Sequence, residues 1–220
     1  MRLPNRRDRA GLHDDGERAV GRDGGCAVLT RLSLFILLSV VGGLGSAWYM
    51  IEKGTRVTTQ VVGPWVAWTA AGRPDADPYT RAHFLRRGVL PVTTAIAYAF
   101  HANVDSEGQA LYSSCEYLVE GDEPKAAFWS LSAFDDRGRL IQNAAERYSF
   151  NTATIARGPG NRLDVMLARS ARPGNWLPTS GAGRFSLVMT VEEPRLATGA
   201  DGVATARQIE LPAIRRLTCR

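Results

Sequence analysis

Residues 126–138 read AAFWSLSAFDDRG, and this stretch decides the fold class. Trp129 and Leu131 fall on one side of an alternating pattern and Ser130 and Ser132 on the other, which is the period of a half-buried strand. Asp135-Asp136-Arg137-Gly138 then supplies hairpin-type turn chemistry. Trp129 is expected to face the core. Short runs of the same kind lie on either side: Ala95–Ala102, Cys115–Val119, Tyr148–Ile155, Arg162–Ala168, Phe185–Glu192 and Gln208–Leu211. Turn signals separate them, and no gap holds a helix between strands as a parallel α/β fold requires. The expectation is a mainly β domain, an antiparallel sandwich or jelly roll, over residues 74–220. It carries one short early helix, YTRAHFLRR, entered through Asp77-Pro78 and ended at Gly88.

Upstream, residues 52–73 read as a membrane-proximal segment, with β-branched and aromatic character from Val57 to Trp68 broken at Gly63-Pro64. Before it, residues 32–51 (LSLFILLSVVGGLGSAWYMI) run uncharged for a length that spans roughly 30 Å as a helix. Trp48 and Tyr49 sit at one end, as amphipathic rings do at a membrane boundary. Seven Arg precede or close the near flank, whereas Lys53 and Arg56 follow the far one. The bias places the N-terminus in the cytoplasm and residues 52–220 outside. A cleaved signal peptide is the competing reading, with Gly45-Ser46-Ala47 as the cleavage site. The polar residues 1–31 read as a cytoplasmic tail or as the product of a start codon set too early. Ser39, Gly43 and Ala47 recur every four residues and offer a small-residue face on which two copies of the helix could pair.

The chain carries 25 Arg, two Lys and a net charge of +5. The densest basic stretch, residues 1–31, sets its seven Arg against five acidic residues, and the remaining charge is spread thinly. A nucleic-acid binder gathers basic residues on one face or arm, so that class is rejected. Cys26 lies in the tail, on the reducing side of the expected topology. Cys115 and Cys219 lie in the exported part, where thiols oxidise, and the expectation is a disulfide between them. A buried free thiol at Cys115, a frayed free thiol at Cys219 and intermolecular bonding are the alternatives. Neither cysteine has a Cys-x-x-Cys or paired-His context, which excludes a zinc site built on them.

Several stretches together resemble a known family: GRPDADPYTRA at 72–82, CEYLVEG at 115–121, FWSLSAFDDRGRLIQN at 128–143, PGNWLP at 173–178, RFSLVMTVEEP at 184–194 and LPAIRRLTC at 211–219. They are similar, in this order and spacing, to the bacterial domain of unknown function 1214, in its short form behind a single membrane helix. The resemblance implies a jelly-roll-like sandwich, a bacterial inner-membrane protein with a periplasmic domain, and a cysteine at each of the two exported positions. It also implies a companion, the 1254-type domain, which a separate envelope polypeptide would have to supply. It carries over no catalytic residues.

Motifs for chemistry are sparse. The chain has no G-x-S-x-G, S-x-x-K, P-loop or dinucleotide fingerprint, and no cofactor is expected. His83, on the helix, and His101, at a strand end, could meet Asp75 or Asp77, yet exposed-helix and edge-strand roles fit them better, and no metal is expected. Asp135-Asp136 reads as a turn and Asp75/Asp77 as a helix start. The distinctive residues are Trp176 and Asn175 in a loop between Gly174 and Pro178, Tyr148, and Arg147, which could pair with Asp135. A loop Trp either plugs the end of a sandwich or lines a pocket. The ligand-binding candidates are therefore Trp176, Asn175, Tyr148, Arg147 and Asp135. The expected function is an anchored envelope module that binds a partner protein or a glycan. The alternative is a periplasmic enzyme with a pocket near Trp176.

Overall fold

The computed structural model describes residues 23–158, 160, 162–194 and 209–219. Residues 1–22, with six of the seven tail arginines and His13, and Gln208 lie outside them. The chain divides into two units, Met1–Trp48 and Tyr49–Arg220. In the first, α1 begins at Asp23 and runs on to Lys53 in the second. Its Ala27–Lys53 portion is long and apolar enough to cross a membrane, with mean hydropathy 2.0 over its 18-residue apolar window, and contains the whole of residues 32–51.

The second unit is a β-sandwich. One sheet holds β1 (Thr59–Val62), β2 (Trp65–Trp68), β3 (Ala97–Ala102), β9 (Phe185–Pro194), β5 (Ala126–Asp135) and β6 (Ser149–Asn151), in that order. The other runs β10 (Ala213–Cys219), β4 (Cys115–Asp122), β7 (Arg162–Ala168) and β8 (Trp176–Pro178). Alternation places Trp129, Leu131 and Ala133 of β5 opposite Tyr117 and Val119 of β4 and Leu163, Val165 and Leu167 of β7, in one continuous core. The aromatic N–H groups inside find acceptors: Trp129 Nε1 donates to Glu123 Oε1 at 2.7 Å and Trp65 Nε1 to the Pro212 carbonyl at 2.7 Å.

Four expectations change. The stretch at 57–68 forms the β1–β2 hairpin, turning at Gly63-Pro64, so the sheet takes in residues assigned to a membrane-proximal segment. The run Tyr148–Ile155 contracts to Ser149–Asn151, because Asn151 accepts from Ala153 and Thr154 and turns the chain. The last strand is Ala213–Cys219 rather than Gln208–Leu211, since Ile214 is the residue that enters the core and Arg215 pairs across to Glu120 at 2.7 Å. The sheets are also not wholly antiparallel: β7 and β8 run parallel, Met166 beside Trp176. A three-residue strand needs the chain to double back by only ~7 Å, so the usual long crossover is unnecessary.

Helix α2 (Pro78–Arg87) starts and stops where expected. The Asp77 carboxylate accepts from the Tyr79 and Thr80 amides at 2.9 and 3.0 Å, and Gly88 adopts the left-handed conformation at φ 64°. The helix lies on the outer face of the larger sheet, where Trp68 stacks on His83 with ring centroids 4.1 Å apart. Cys115 and Cys219, the facing ends of β4 and β10, are joined in a disulfide.

Candidate functional site

The two turns that face one another at one end of the sandwich build the site. The first follows β5. Asp135 Oδ1 accepts from the amides of Arg137 (3.0 Å) and Arg139 (2.8 Å), while Oδ2 takes the Arg139 guanidinium at 2.9 Å. The backbone bond from Arg139 above all, helped by its side chain, holds the Asp135 carboxyl below the usual carboxylate range. The second turn is Ser180–Gly183, fixed by reciprocal bonds between Gly183 and Ser113. Gly181 and Gly183 take φ of 78° and 64°, a conformation glycine adopts freely. Between the turns lies a cleft of about 620 Å³. Ile141 and Ala182 form its apolar part, and Asp136, Arg137, Arg139 and Gln142 its polar rim.

The five predicted residues divide among three places. Asp135 lines the cleft, but it pairs with Arg139 and not with Arg147. The separation is physical: Asn143 pins the 143–147 loop by bonding the Ile141 and Arg147 carbonyls and the Arg147 amide, which turns the Arg147 side chain elsewhere. Tyr148 reaches toward the rim, its hydroxyl 3.4 Å from Gln142 Oε1. Arg147 and Trp176 do come together, the guanidinium donating to the Trp176 carbonyl at 3.2 Å and lying 5.6 Å over the Phe150 ring. Trp176 is in strand β8 and not in a loop, and its indole donates to the Ala168 carbonyl at 3.0 Å. Asn175 is buried, and its amide joins Ala156 and Asp164 through three bonds of 2.7–2.9 Å. That pattern ties the 156 loop to β7 and β8.

Sequence reasoning did not reach the Ser180–Gly183 turn, Arg139 or Gln142. The signal for the turn is Ser-Gly-Ala-Gly, small residues that leave room beside them. Arg139 and Gln142 follow the hairpin, and only its folded geometry aims them at the same space.

Neither His83 nor His101 lines the cleft. His83 is buried, with Nδ1 2.7 Å from the Ile51 carbonyl, and so is not an exposed helix residue. His101 sits on β3 between β2 and β9, not on an edge strand. Asp75 pairs with Arg73 at 2.7 Å and Asp77 caps α2. Among the described residues no three His, Cys, Asp or Glu are grouped to hold a metal ion. Desolvation lowers both histidines, His101 to about 4, with Arg87 and His83 acting on His101 in the same direction. The unfolded chain takes up a proton near pH 6.5 that folded His101 refuses until about pH 4. Stability present above 6.5 is therefore lost as pH falls through that window, by roughly 3 kcal/mol from His101. His101→Gln flattens most of this slope, and His83 leaves the remainder. Urea unfolding of the detergent-solubilised chain at pH 7 and 4.5 measures it.

Residues 96–196 match the model of a family described as "Protein of unknown function (DUF1214)". The match is shorter than the 72–220 over which the motifs resemble it. Among solved structures, the chain is similar to the VPA0106 protein of Vibrio parahaemolyticus, at 20% identity and a TM-score of 0.56, over 80% of this chain and 43% of that one. It also matches an uncharacterised protein from Burkholderia cenocepacia at 17% identity and a TM-score of 0.42, over 87% of this chain and 43% of that one. The chain thus spans less than half the length of either. The Vibrio likeness establishes a shared fold. No curated protein matches the chain.

Proposed function

We propose that this chain is an exported, non-catalytic binding module, held in a bacterial inner membrane by residues 32–51 with its sandwich in the periplasm. In this reading the cleft between the β5 hairpin and the Ser180–Gly183 turn receives a polar segment of a partner envelope protein. One observation carries the reading: Asp135, a carboxylate lining the cleft, is engaged with the Arg139 guanidinium and with two backbone amides. Asp135 is bonded on both oxygens, and among the described residues no histidine lines the cleft beside Ser180 to activate it. Such a rim suits recognition, whereas acid–base work needs a poised, loosely held group. The chain covers only 43% of the Vibrio protein, which supports a partner supplied as a separate polypeptide, with the 1254-type companion as its expected domain. The face formed by Ser39, Gly43 and Ala47 would let two copies pair within the bilayer.

Site-specific photo-crosslinking in the producing cells tests the cleft. A benzophenone side chain at Gln142 or Arg137 is expected to give one crosslinked species of defined mass. The same group at Arg162, on the smaller sheet, is expected to give none. Equal labelling from all three positions, or none from the cleft, would remove the cleft from the account.

A further inference from the structure

Helix α2 and the residues after it leave an unusual surface. Leu90 is 96% exposed and Leu85 81%, and Val89 and Val92 are more than half exposed. A run of this kind on a soluble face is costly in water and marks a surface with a partner. Basic residues outnumber acidic ones on and beside it: Lys53, Arg56, Arg81, Arg86 and Arg87 stand against Glu52, which bonds Arg86 at 3.3 Å, and Asp75 and Asp77 at the helix entrance, where Arg81 donates to the Pro74 carbonyl at 2.6 Å. Apolar side chains ringed by Lys and Arg are the composition of a helix that lies in a headgroup layer.

The topology supplies the second observation. The Ile51 carbonyl lies 2.7 Å from His83 Nδ1, and Glu52 pairs with Arg86, so the last turn of the apolar helix is bonded to α2 within one unit. The chain then enters the sheet through residues 54–58, and α2 lies in the connection between β2 and β3. In the register Thr59↔Trp68 and Ala97↔Glu192, these segments share one end of the larger sheet. The 104–110 turn and the cleft hairpin stand at the other, beyond Ala102 and Asp135.

We propose that the outer side of α2, the Val89–Val92 stretch, Lys53 and Arg56 form a lipid-contacting surface that seats the sandwich on anionic phospholipid headgroups. The proposal rests on the anchored reading above. Leu85 and Leu90 enter the interfacial layer, and the five basic residues meet phosphate groups. The domain is then held with its cleft end turned away from the bilayer.

The test uses the full chain with Cys26→Ser, so that an added cysteine is the only free thiol, labelled with an environment-sensitive fluorophore. Three positions are compared, L37C in the apolar helix, L90C, and E107C in the distant turn, in vesicles of phosphatidylcholine with 30% phosphatidylglycerol and a shallow nitroxide lipid. The probe at 90 is expected to be quenched at least threefold more than the probe at 107. Replacing phosphatidylglycerol by phosphatidylcholine, or adding R81E and R87E, is expected to halve that difference. Quenching at 37 with equal, low quenching at 90 and 107 would overturn the lipid surface and leave the anchor standing. No quenching at 37 would overturn the anchor and, with it, this proposal.

Discussion

Replacing both Cys115 and Cys219 by serine is expected to lower the unfolding free energy of the sandwich by about 4–5 kcal/mol, the chain-entropy value for a loop of this length. Strand β10 is an edge strand whose one neighbouring strand among the described residues is β4, and the disulfide joins its last paired residue to the first of β4. Without the bond, β10 is expected to fray from its C-terminal end. The Pro212 carbonyl then loses its fixed place beneath the Trp65 indole. Urea unfolding followed by circular dichroism measures the loss, and wild-type protein under reductant is expected to coincide with the double variant. Unchanged stability in both would mean that the β4–β10 ladder alone holds the strand.

The second large effect concerns Arg216. Asp105 is 1% exposed, with Oδ1 accepting from the Glu107 and Gln109 amides at 3.1 and 2.8 Å and Oδ2 3.0 Å from Arg216 Nε. The same guanidinium donates to Gln109 Oε1 at 2.7 Å and the Ala110 carbonyl at 2.9 Å, and lies 5.5 Å over the Tyr117 ring. Arg216→Ala leaves a carboxylate buried without its cation, a change that costs about 3–5 kcal/mol. Arg216→Lys is expected to recover only part, since one ammonium cannot reach four partners arranged around a plane. Adding Asp105→Asn to Arg216→Ala removes the unpaired charge and is expected to restore stability relative to Arg216→Ala alone. An additive double variant would show that the pair is not coupled.

These two features mark the limit of what was legible in the sequence. The alternation around Trp129 and the caps Asp77 and Gly88 are local signals, and each gave its element correctly. The final strand is written AIRRLTC, with Ile214 as its one fully buried residue, so it reads as a polar tail. Only Glu120 and Asp105, about a hundred positions away, make its arginines strand residues. Trp176 was misplaced for a related reason. Three residues paired in parallel with β7 leave no periodicity to read, and a flanking glycine and proline look like a loop. The cleft was half visible. Asp135 announces its turn, but the Ser180–Gly183 turn that faces it lies some 45 residues further on, and nothing local ties the two together.

The central claim, an exported and disulfide-stapled module retained on its membrane helix, is tested most directly by intact-mass spectrometry of the protein isolated from membranes and alkylated before and after reduction. The account predicts a mass that keeps residues 32–51, one alkyl group on Cys26 before reduction, and two further groups on Cys115 and Cys219 only after it. A chain beginning after Ala47, or three thiols alkylated without reductant, would contradict it.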